Sequence, residues 1–213
     1  MVFHAIFEED HDMYPRRRRV NNRAFIKKFV ISCEGSVTEK EYFTLLQSFC
    51  WQYAFIDILT DKQKSSPDKV LERIVGYGKS LKAGDELWCV IDRDYWTVDQ
   101  ISMLMEWAAG GDDKIERHIA MSNPKFELWL LAHFQSIPAT CGPAECIRLL
   151  KQYLPEYDKH LDGQIASKEK ISFAIRQSLT TISVDCVGTN VGVLVDRITR
   201  DAFSTANEER VMP

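Results

Sequence analysis

The chain has 213 residues, a formal net charge of −4, and 45% hydrophobic and 27% charged residues. That describes an ordinary globular protein able to bury a sizeable core in one domain, alone or with a helical extension. The acidic balance argues against a protein that coats nucleic acid by charge alone. The longest apolar run, Leu128 to Ala132, falls far short of the roughly 20 residues that span a bilayer.

Residues 1–23 read as a basic, irregular arm. Met1-Val-Phe-His-Ala begins without a basic region followed by an apolar stretch, so no secretory leader is expected. Arg16, Arg17, Arg18, Arg19 and Arg23, with Lys27 and Lys28 after them, offer phosphate contacts. The plainer reading of such a run is a solvated tail. Residues 25–32 read as a first strand, ending at Glu34-Gly35. Ser36 then starts a helix, with Glu39 at capping-box spacing and Tyr42, Leu45, Leu46 and Phe49 at helical intervals. Residues 55–59 form a second strand. Ser66-Pro67 opens a helix whose apolar face carries Val70, Leu71, Ile74 and Val75. A third strand, 86–91, delivers Asp92-Arg93-Asp94. A helix from about Thr97 follows, ended by Gly110-Gly111. Residues 117–121 form a fourth strand, and Pro124 then opens a strongly apolar helix.

Alternating strands and helices imply an α/β fold, a mainly parallel sheet of about four strands with helices on both faces. Residues 24–135 are assigned to this α/β domain and 136–213 to a helical C-terminal extension. Apolar positions 147–154, then 171, 175 and 179, then 191, 194, 195 and 198 mark three helices there, the last capped by Thr189 or Asn190. Cys33, Cys50, Cys89, Cys141, Cys146 and Cys186 contain no C-x-x-C pair. They read as thiols of a cytoplasmic protein, four of them in apolar surroundings, rather than as disulfides or zinc ligands.

The chemistry concentrates where strands end. An Asp-x-Asp pair sets two carboxylates together at the carboxyl edge of an α/β sheet, where such folds place their sites. A divalent ion such as Mg²⁺ takes oxygen ligands, one or two of them carboxylates, with substrate phosphates completing the shell. If Glu34 ends a neighbouring strand, three carboxylates converge and the outline is metal-assisted phosphoryl chemistry.

Taken together, C-E-G-x-x-T-E at 33–39, D-R-D at 92–94 and S-N-P-x-F-E-x-W at 122–129 resemble the RloB/AbiLii family. The resemblance spans most of the chain and includes the basic arm and the helix at Asn190. It implies a Toprim-like fold, bacterial anti-phage defence by abortive infection, and an ABC-type ATPase as partner. It also implies a nuclease dependent on Mg²⁺ or Mn²⁺, acting on RNA (tRNA included) or DNA. Carried onto this sequence, Glu34, Asp92 and Asp94 match the catalytic and metal-binding acids, and Glu127 is a further candidate ligand. Gly35, Arg93, Asn123, Lys125, Arg17, Arg18 and Arg19 are candidate substrate contacts. Tyr95 lies beside the acids, but hydrolysis is favoured over strand religation.

Duller readings stand beside these. Asp92 and Asp94 could cap or pair locally, and Glu34 could be a solvated turn residue. Glu39 reads as a capping-box member rather than a ligand. Asn123 could cap the helix after Pro124, and Glu127 could form a buried salt bridge. His118 and His133 read as satisfied structural histidines. Trp88, Trp96 and Trp129 read as core, with Trp96 placed to stack a base. The alternative function is a non-catalytic nucleic-acid or nucleotide sensor that regulates an ATPase, and a weaker one is a D-x-D glycosyltransferase. Apolar C-terminal helices would suit a homodimer.

Overall fold

A computed structural model of the chain describes residues 26–63, 65–93, 96–111, 114–161, 163–180 and 185–208. The basic arm, with Arg17, Arg18 and Arg19, lies outside the described residues, as do Asp94 and Tyr95.

Strand β1 (Lys27–Cys33) leads through helix α1 (Thr38–Cys50) to β2 (Ala54–Leu59). Helix α2 (Pro67–Val75) then carries the chain to β3 (Glu86–Asp92), and α3 (Val98–Ala109) to β4 (Glu116–Asn123). With β5 (Gly188–Thr189), the sheet order is β2-β1-β3-β4-β5, every pair parallel except the last. This is a Rossmann-like α/β architecture.

Both sheet faces are covered, so the central strands are apolar on both faces along residues 29–31 and 87–91. Side chains alternate between faces. Phe29, Ile31, Cys33, Trp88 and Val90 pack with Tyr42, Phe43 and Leu46 of α1. Val30, Cys89 and Ile91 point the other way, onto Val70 and Ile74 of α2 and Ile101 and Leu104 of α3. A constant crossover hand requires the covering helices to change face when the strand direction of travel reverses, as between α1 and α2. That reversal falls between β1 and β3 and opens a crevice beyond their carboxyl ends.

After the short helix α4 (Glu127–Leu131), the C-terminal part supplies helices α5 (Pro143–Leu150), α6 (Lys168–Gln177) and α7 (Val191–Glu208), as the periodicity indicates. It also supplies a fifth strand that periodicity could not show, the two-residue β5 (Gly188–Thr189), antiparallel to β4. Asn190 does not cap α7. Its Oδ1 accepts from Met121 N at 2.6 Å and its Nδ2 donates to Ile119 O at 3.1 Å, so its amide continues the ladder along the β4 edge. Thr189 Oγ1 takes the first helical N–H, that of Val191, at 3.2 Å. Leu194, Val195 and Ile198 of α7 join the core with α1 and the sheet. Among the described residues, no helix is long and apolar enough to cross a membrane.

Candidate active site

At the crevice, the β1–β3 ladder continues one step past the strand, with Glu34 N donating to Val90 O at 2.9 Å. Glu34 therefore arrives beside Asp92. Its Oε2 accepts from Asp92 N at 3.1 Å and its Oε1 from the Trp96 indole N–H at 3.0 Å. Trp96 thus holds a site carboxylate and packs on the α2–α3 side of the core, so its nitrogen is not turned to a nucleobase. Two further carboxylates meet these two. Glu39, from the first turn of α1, accepts from Gly35 N at 3.0 Å, and Glu127, the first residue of the short helix α4 (Glu127–Leu131), accepts from Tyr157 Oη at 3.0 Å. Glu34, Glu39, Asp92 and Glu127 all line one cleft of about 310 Å³, together with Gly35, Lys125 and Lys159.

Helix α1 starts at Thr38 behind Val37, which makes no side-chain cap bond, so the predicted Ser36–Glu39 capping box does not form. Glu39 is instead folded back into the cleft, 6% exposed. Gly35 makes this possible, because a Cβ at that position would fall within the Glu39 carboxylate. Gly35→Ala should therefore cost about 1–3 kcal/mol of stability, the usual cost of overpacking. Adding Glu39→Ala should recover part of that loss. Equal melting curves for wild type and Gly35→Ala would show that Glu39 is not held there.

Two of these carboxyls, Asp92 and Glu39, hold their protons more tightly than usual. Burial, then the charges of Glu39, Glu34 and Glu127, pushes the Asp92 carboxyl well above the usual carboxylate range. Burial also raises Glu39, with Glu127 adding to it, while the Gly35 N–H and Lys159 oppose the rise. The donors are all carboxylate oxygens, the type a hard divalent cation takes, but no three of these acids bring ligand oxygens within 4.8 Å of one another.

The cleft unites Glu34, Asp92, Glu127, Gly35 and Lys125 from the sequence-predicted set. Arg93 and Asn123 do not line it. The Arg93 guanidinium donates to Trp96 O, and Asn123 Nδ2 donates to Cys186 O at 2.9 Å, so Asn123 ties down the segment before β5 rather than capping α4. Glu39, Asp61, Lys62 and Lys159 also line the cleft, and Tyr157 reaches it by its bond to Glu127. Thr38 Oγ1 donates to Lys159 O at 2.8 Å and lies 3.3 Å from Tyr157 Oη. Lys159 has φ of 87°, the left-handed region that costs a non-glycine residue energy, and the bond from Thr38 fixes its carbonyl there. Glu39 was visible in the motif as the second acid of C-E-G-x-x-T-E. Nothing in the loop at 155–161 marks Tyr157 or Lys159.

A second charged group lies at the opposite edge of the sheet. Glu86, Glu116 and His118 bring ligand atoms within 4.8 Å of one another and could hold a metal ion. Two cations already occupy that place. Glu86, fully buried, pairs with Lys27 and with Arg197 at 2.8 Å and accepts from the Trp88 indole at 2.8 Å. Arg197 also pairs with Glu116. Burial lowers the proton affinity of His118, which stacks on Trp88 at 4.4 Å. Two carboxylates face two cations, so this cluster is balanced without an ion. His133 is a satisfied core histidine, bonded to Tyr42 Oη and Trp129 O and pushed down by burial to about 4.

A family model described as RloB-like protein matches residues 29–198, most of the chain and all of the cleft. No curated protein and no solved structure gives a significant match.

Proposed function

We propose that this chain, a member of the RloB-like protein family whose Glu34, Glu39, Asp92 and Glu127 line one cleft, is a divalent-metal-dependent nuclease hydrolysing phosphodiesters of RNA or DNA. The convergence of Glu34, Glu39, Asp92 and Glu127 at the β1/β3 switch point carries this reading. Glu34, Asp92 and Glu127 would hold Mg²⁺ or Mn²⁺, with Glu39 in the same cleft, and the family resemblance adds Asp94 of the D-R-D motif to the ligand set. The ion, when bound, polarises the phosphoryl oxygen and lowers the pKa of a coordinated water.

The other roles belong to the chain. Trp96 and the Asp92 N–H fix both oxygens of Glu34, so its orientation does not depend on substrate. Lys125 and Lys159 line the acidic cleft and present positive charge to the scissile phosphate. Among the described residues Tyr157 is bonded to one of these acids, but burial and Glu127 raise its proton affinity and its hydroxyl already donates to Glu127. It is a donor that orients Glu127, not a nucleophile, and water remains the attacking group. The family resemblance adds the biological setting: an effector in anti-phage defence acting with an ABC-type ATPase.

The test incubates the protein with tRNA, single-stranded DNA and plasmid in EDTA, Mg²⁺ or Mn²⁺, with and without the Glu34→Gln and Lys159→Ala variants. Metal-dependent cleavage is expected, lost in Glu34→Gln and reduced by roughly 10²-fold in Lys159→Ala, as for removal of one charge-stabilising group. Nucleic-acid binding without cleavage, unchanged in Glu34→Gln, would leave a non-catalytic sensor instead.

A further inference from the structure

We propose that Cys141 and Cys146 form a reversible thiol–disulfide site, a modification site for peroxide-class oxidants set behind the helix that carries Glu127. The geometry begins with helix α5. Gly142 is its N-cap and Pro143 its first residue, so Cys141 sits just before the cap and Cys146 is the fourth helical residue. At a helix start these two positions meet, and chains commonly place an apolar pair there. Here both partners are thiols, and their sulfurs lie 3.0 Å apart with one S–H directed at the other sulfur. A disulfide bond is about 2.05 Å long, so about 1 Å of closure joins them.

The surroundings suit a contained reaction. Leu128, Ile137, Leu149 and Val187 enclose the pair, and Leu128 directly follows Glu127. Cys146 has no exposed surface, whereas Cys141 keeps 6%. Cys141 therefore meets the oxidant first. Its sulfur attacks one peroxide oxygen, the O–O bond breaks, and a sulfenic acid and one water result. The Cys146 sulfur then attacks the sulfenic sulfur. The S–S bond forms, the S–O bond breaks, and the hydroxyl leaves as a second water with the Cys146 proton. Two thiols are oxidised and one peroxide is reduced to two waters. A dithiol reductant reverses the change by exchange.

This inference is independent of the nuclease reading, and its test reads only mass. The tryptic peptide Phe126–Arg148 contains these two cysteines and no others. The full chain is treated with hydrogen peroxide, then denatured, alkylated with N-ethylmaleimide and digested. The expected peptide has lost two hydrogens and carries no alkyl group, and prior dithiothreitol restores two alkyl groups. Cys186→Ser, which removes an exposed cysteine, should leave this result unchanged. Two alkyl groups after peroxide, or a disulfide joining either cysteine to Cys186, would overturn the proposal.

Discussion

Asp92→Asn is expected to lower metal-dependent cleavage by at least about 10²–10³-fold while making the metal-free protein more stable, by roughly 1 kcal/mol. The two effects have one cause. Asp92 stands among Glu34, Glu39 and Glu127, and the carboxylate that would hold an ion is, without the ion, a charge in a repulsive place. Removing it relieves the metal-free fold and deprives the ion of a ligand. Added Mn²⁺ should accordingly raise the melting temperature of the wild type, by about 2.7 kcal/mol of stability at a hundred times the dissociation constant, and leave Asp92→Asn nearly unmoved.

The pH dependence follows with its sign. Asp92 and Glu39 hold protons more tightly in the folded chain than in the unfolded one. Their contribution favours folding at low pH. It is lost as pH rises from the ordinary carboxylate value, about 4, through their raised folded values. Metal-free wild type should lose stability over that interval, and Asp92→Asn should lose less. An Asp92→Asn protein that is less stable yet still cleaves would dismiss the cleft as the metal centre.

Glu86→Gln should have the largest effect on stability, about 3 kcal/mol, or a fall in melting temperature of roughly 6–12 °C for a chain of this size. Glu86 is fully buried and is the common partner of Lys27, Arg197 and the Trp88 indole. Neutralising it strands part of two positive charges against the bottom of the sheet. Replacing Arg197 by Met in the same chain should recover part of the loss, because the charge then left uncompensated is removed. Mn²⁺ binding and cleavage per folded molecule should stay at wild-type values. Thermal melts and a Mn²⁺ titration on the Glu86→Gln and Asp92→Asn variants therefore decide between the two acidic clusters. Loss of Mn²⁺ binding in Glu86→Gln alone would move the metal centre to Glu86, Glu116 and His118.

Much of the architecture is legible in the chain because strand and helix periodicities are local. The run from Phe29 to Cys33 and that from Leu87 to Ile91 are apolar on both faces, which announces a covered parallel sheet. The acids that end these runs, Glu34 and Asp92, become neighbours once the two strands pair, and a ladder register suffices to bring that about. The motif C-E-G-x-x-T-E likewise displays Glu39, although capping-box spacing argues for a local bond to Ser36. What overrides that bond is the space left by Gly35, through which the carboxylate turns back to the Gly35 N–H and the cleft.

Tertiary packing alone decided the rest. Tyr157 and Lys159 are held beside the acids by Thr38, 119 and 121 residues earlier in the chain, and no periodicity links positions so far apart. The same holds for Glu86 and Arg197, 111 residues apart, and for the two-residue strand β5, too short to leave an alternation pattern. Sequence determines which residues can end a strand with a charge, since that depends on neighbours two to four positions away. Which charges then share a cleft, and which are cancelled by a distant lysine or arginine, depends on contacts that exist only after the sheet and its C-terminal helices have closed on one another.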